Sequence, residues 1–83
     1  MRGVIELINH NQGMIAVSTE SGEFSVLELV GGYTPELGDV ICGNLESLGS
    51  EEVRNHTQEE IWDVYIQDIH GSKATAAKMI SQN

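Results

Sequence analysis

The chain contains one cysteine, one proline, only four basic residues and no long apolar run. Each shortage excludes something. A single thiol, Cys42, closes no internal disulfide, and Met1-Arg2-Gly3 opens without the apolar region of an export signal. The expectation is a cytoplasmic protein with Cys42 reduced, acting as a small apolar side chain within Val40-Ile41-Cys42. No stretch approaches the ~18 apolar residues of a membrane span, so no membrane is expected as a partner. Against the four Lys and Arg stand 13 Asp and Glu, a net charge of −9. Such a balance repels phosphate. What is present is ordinary: 83 residues, 40% hydrophobic, nine glycines. That fits a single domain over 1–83 with one thin core.

Short β-rich runs separated by turn residues fill most of the chain. Gly3–Asn9, Met14–Val17 and Phe24–Val30 read as the first three strands, with turns at His10–Gly13 and Glu20–Glu23. Gly31–Glu36 is an irregular crossing, Val40–Leu45 a fourth strand, and Ser47–Glu52 a further loop. Val53–Thr57 and Ile61–Ile69 follow as two strands or one bent one, and the sequence leaves that open. In the tail, Ser72 reads as the N-cap of a short helix over Lys73–Ile80. Its Ala76, Ala77, Met79 and Ile80 form a stripe able to cover an open barrel end. The fold expected is all-β: a small five-stranded OB-type barrel, with room for an extra strand, and a short C-terminal helix.

Chemistry-bearing patterns are scarce. Adjacent acids at Glu51-Glu52 and Glu59-Glu60 would point to opposite faces of a strand, which does not suit paired acid/base work. His10, His56 and His70 lack metal-ligand spacing, and Gly31-Gly32 lacks the following Lys and helix of a phosphate loop. Asn55-His56-Thr57 has the form of a glycosylation acceptor, with no export signal to give it meaning. No catalytic residue, metal site or cofactor is expected, and the chain is not read as an enzyme.

Gly3-Val4-Ile5-Glu6-Leu7-Ile8-Asn9, followed four residues on by Gly13, resembles the opening of bacterial cold-shock domains. Gly22–Leu29, Gly38-Asp39-Val40 and Val53–Thr57 continue the likeness, which spans 1–57; residues 58–83 look like an added strand and helix. The resemblance implies single-stranded RNA or DNA as ligand, stacked on aromatic side chains of the first three strands. The positions matching those aromatics are Leu7, Met14, Ala16, Leu27 and Leu29, none with a ring. Glu6 and Gln12 stand where that family carries basic residues. Base stacking contributes about 1–3 kcal/mol per base, so nucleic-acid binding is expected to be weak, and the charge disfavours it further. Arg2, Arg54, Lys73 and Lys78 are the only cations it has to use.

The register of Phe24–Val30 decides part of this face. Placing Leu27 and Leu29 inward exposes Glu28 and avoids a lone buried carboxylate, and leaves Ser25, Glu28 and Glu6 to make the outer face polar. Trp62 and Tyr65 lie on opposite sides of the Ile61–Ile69 run, either as core packing or as an exposed anchor. The candidate binding face is thus Leu7, Met14, Ala16, Leu27, Leu29, Trp62 and Tyr65. Its two readings are a degenerate nucleic-acid module and a protein-interaction module. In the second, an acidic surface and an apolar patch meet a basic partner or a second copy of the chain.

Overall fold

The computed structural model describes residues 1–81; residues 82 and 83, included in the single-domain expectation, lie outside the described residues. The elements are β1 (Arg2–Asn9), β2 (Met14–Thr19), β3 (Phe24–Leu29), β4 (Val40–Cys42), β5 (Gly49–Asn55), β6 (Glu60–Gly71) and α1 (Lys73–Ile80). The strands close into a barrel in the order β1-β2-β3-β6-β5-β4, every neighbouring pair antiparallel. The all-β barrel with an extra strand and a C-terminal helix is therefore what the chain forms. Among the described residues, no helix is long and apolar enough to cross a membrane.

Val53–Thr57 and Ile61–Ile69 belong to two strands. Between them the Gln58 amide donates to Asn55 Oδ1 at 2.9 Å and Glu59 takes a left-handed φ of 57°, which turns the chain back on itself. Two boundaries differ from expectation. The loop expected at Ser47–Glu52 is already strand from Gly49, because Gly49–Glu52 pairs with Asp63–Ile66 of β6. The fourth strand ends at Cys42, and Leu45 instead drops out of the loop into the core.

Alternation sorts the side chains into two layers. Ile5, Ile15, Val17, Leu27, Trp62 and Ile66 point into the barrel with their neighbours and are essentially without solvent contact. Leu27 inside and Glu28 exposed is the register that keeps the carboxylate in water. Ser25 is the exception to the outer-face expectation. It shares the parity of Leu27, between outward Phe24 and Val26, so alternation itself turns it inward, where its hydroxyl donates to Leu45 O at 2.6 Å. The irregular segment after β3 packs Tyr33 on Trp62, ring centroids 5.1 Å apart and planes 18° from parallel. Below it, buried Asp39 Oδ2 accepts from Asn55 Nδ2 (2.8 Å), Gln58 Nε2 (2.7 Å) and the Glu36 amide (3.1 Å). A buried carboxylate is tolerable only when its acceptor sites are met in this way.

Helix α1 begins at Ser72, whose Oγ accepts from the Thr75 amide at 3.1 Å, as the N-cap expectation requires. Its docking surface is not the barrel end. Ala76 and Ile80 pack instead on the outer face of the sheet, against Ala16, Phe24 and Val26. The reason lies in the strands: Ala16 and Val26 are directly opposed on that outer face, and both are too apolar to leave in water.

Candidate functional site

The seven residues of the candidate face separate into three groups. Leu27 and Trp62 are buried in the barrel interior, with Leu29 packed against them. Leu7, Met14 and Ala16 lie together on the outer face of β1 and β2, with Leu7 opposite Ala16. A register shift between Ile5 and Leu7 puts Leu7 on that outer layer while Ile8 packs against the interior. Tyr65 alone of the seven is strongly exposed, on the outer face of β6.

The surface that the resemblance assigns to nucleic acid is covered. Helix α1 buries Ala16, and Leu7 and Met14 pack against the same cluster. The Asn9 side-chain amide donates to the Ile80 carbonyl at the far end of the helix. At the near end Lys73 Nζ lies 3.4 Å from Glu6 Oε1, and the Ser18 hydroxyl and this ammonium hold the Glu6 carboxyl below the usual carboxylate range. An apolar groove of about 410 Å³ remains beside the helix, lined by Leu7, Ile8, Asn9, Ala77, Ile80 and Ser81. Two of the four cations, Lys73 and Lys78, belong to the covering helix.

A different surface carries exposed apolar side chains. On the outer face of β5 and β6, Ser50 stands opposite Tyr65, Glu52 opposite Asp63, and Arg54 opposite Ile61. Glu28 of β3 flanks Tyr65 on its other side. Tyr65 is 44% exposed, Ile61 53%, and nearby Val30 57%. Glu52 and Asp63 are like charges directly opposed across a strand pair, an arrangement that destabilises a sheet. Among the described residues neither carboxylate has an ion-pair partner within 4.0 Å. A groove of about 420 Å³ opens beside them, lined by Val30, Ser50, Glu51, Glu52, Asp63 and Val64. Tyr65 of this face was among the expected anchors, but its acidic half escaped the sequence because Glu51-Glu52 reads as loop. Its signal is the cross-strand register, which a single strand does not contain.

A third cluster was also not foreseen. His70 at the end of β6, Glu23 before β3 and Glu46 between β4 and β5 meet at one point, with His70 Nδ1 2.7 Å from Glu23 Oε1 and 3.4 Å from Glu46 Oε2. The Glu23 hydrogen bond and the two negative charges hold the His70 ring above the ordinary histidine value. His10 and His56, the other histidines, are exposed and take no part in this cluster. Compared with known proteins, the chain matches no family model, no curated protein and no solved structure.

Proposed function

We propose that this chain is a non-catalytic binding module, an OB-type barrel of cold-shock-like descent, that takes a basic protein segment on the outer face of β5 and β6. The observation that carries the reading is the opposed pair Glu52 and Asp63, set between exposed Ile61, Tyr65 and Val30 and, among the described residues, without an ion-pair partner within 4.0 Å, although Arg54 stands two residues along the same face. A Lys or Arg side chain laid between the two carboxylates relieves their repulsion, and the apolar side chains on either flank supply an anchor. A second copy of the chain carries the same net charge of −9 and fits this face poorly.

Single-stranded nucleic acid is the competing ligand, carried by the resemblance of residues 1–57. Against it stand the covering helix and the scarcity of cations.

The test is an NMR titration of the labelled chain with a Lys/Arg-rich peptide bearing one leucine, and separately with mixed RNA and DNA oligonucleotides at low salt. The expected result is saturable shifts at Glu52, Ile61, Asp63 and Tyr65 with the peptide, and a silent spectrum with the oligonucleotides. Tyr65→Ala and the pair Glu52→Gln with Asp63→Asn should each weaken the peptide by roughly tenfold, the loss expected for an interface anchor. Removing two charges elsewhere, Glu20→Gln with Glu36→Gln, should change little. Equal weakening by both pairs would reduce the interaction to bulk charge. Oligonucleotide shifts at Leu7 and Met14, with a silent peptide, would give the function to nucleic acid.

A further inference from the structure

We propose that Glu23, Glu46 and His70 form a binding site for a divalent transition-metal ion of the zinc class. One ligand atom from each residue lies within 4.8 Å of the other two. The three side chains come from separate parts of the fold: the turn before β3, the loop between β4 and β5, and the last residues of β6.

The hydrogen-bond count at His70 Nδ1 is what points to an ion. A ring nitrogen carries at most one hydrogen and makes one linear hydrogen bond. That bond goes to Glu23 Oε1 at 2.7 Å. Among the described residues, Glu46 Oε2, 3.4 Å from the same nitrogen, receives a hydrogen only from the Ser21 hydroxyl, at 3.0 Å. Two anionic oxygens have therefore been brought to a nitrogen that can serve one of them. A divalent ion in place of that proton bonds all three at once and neutralises both carboxylates.

The donor set and spacing suit such an ion. Zinc binds imidazole nitrogen and carboxylate oxygen at about 2.0–2.2 Å, so tetrahedral ligand atoms stand about 3.4 Å apart. The observed separations of 2.7 and 3.4 Å need only small side-chain rotations to reach that geometry. Imidazole beside two carboxylates favours zinc over the hard ions magnesium and calcium, which take oxygen alone. His70 and Glu23 are about half exposed, at 53% and 44% of their side-chain surface, so a fourth ligand position opens to solvent. The bound ion would tie the end of β6, from which α1 departs, to the β2–β3 turn and to the β4–β5 connection.

The experiment is a calorimetric titration of zinc chloride into the metal-free full chain, followed by NMR of the histidine rings. The expected result is one saturable equivalent, a perturbed His70 ring and unperturbed His10 and His56 rings. His70→Ala and Glu46→Gln should each weaken binding by roughly tenfold or more, since losing even an outer-shell partner costs 10–100-fold at metal sites. His10→Ala and His56→Ala should leave it unchanged. The ring assignment is made on the unmutated chain, so a variant that folds poorly does not spoil the test. No saturable zinc binding at millimolar ion would overturn the proposal. So would binding that survives His70→Ala, or that magnesium reproduces.

Discussion

Trp62→Ala is expected to destabilise the barrel by about 3–5 kcal/mol, the range for deleting a large buried aromatic. Trp62 has no exposed surface and lies in the interior cluster opposite Val53. Its ring supports Tyr33, and its Nε1 donates to Glu60 Oε1 at 2.9 Å. Truncation opens a cavity and also removes the surface on which the Gly31–Gly38 segment rests. Against a total of roughly 4–12 kcal/mol for a domain this size, the loss is a large share of the stability. Urea unfolding followed by circular dichroism measures it. Trp62→Phe keeps an aromatic ring against Tyr33 and loses one part-buried hydrogen bond, so it should cost about 1–2 kcal/mol. Equal costs for the two variants would mean that a phenyl ring recovers none of the packing that the indole supplies.

Gly3→Ala should lower the melting temperature by about 10 °C or more. A Cβ at Gly3 would lie 2.4 Å from Val17 Cγ1 and 2.8 Å from the Ser18 carbonyl oxygen. The first neighbour can rotate, but the second is strand backbone fixed by the β1–β2 ladder. Overpacking of this kind costs about 1–3 kcal/mol or more, and each kcal/mol moves the midpoint by about 4–8 °C at this chain length. Gly32→Ala is the control, since nothing lies within 4 Å of the added carbon there. Its expected effect is near zero. If both variants melt together, the closeness of β1 and β2 at Gly3 is not what holds the barrel.

The parts of the fold legible in the sequence are those whose signals are local. Alternation places β1 to β3, Ser72 caps α1, and the inward register of Leu27 follows from keeping Glu28 in water. Gly49-Ser50-Glu51-Glu52 has no apolar alternation at all; it is a strand because β6 lies beside it, and that information sits 15 or so residues away in the partner's own periodicity. The helix stripe was readable, but its seat on Ala16 and Val26 was not, because a stripe does not say which apolar surface it will meet. The same limit governs the candidate sites. Leu27, Leu29 and Trp62 share apolar character with Leu7 and Met14, yet strand parity sends them to opposite sides of one sheet. The opposed Glu52 and Asp63, and the meeting of Glu23, Glu46 and His70, exist only once distant segments are paired.

The shortest strand closes the ring, and this sets the order in which the molecule comes apart. Val40–Cys42 pairs with Arg2–Val4 on one side and only with Arg54 and Asn55 on the other. The remaining junctions are longer, and β1–β2, β2–β3 and β5–β6 join segments adjacent along the chain. Closing those hairpins loses little loop entropy, whereas the β4 seam rewards its ordering with few hydrogen bonds. Native-state opening should therefore begin as an unzipping of β4, with the β1–β2–β3 meander and the β5–β6 hairpin still formed. Amide protons of Ile41 and Cys42 would then exchange by a sub-global route, at lower free energy than those of Ile15 or Val64.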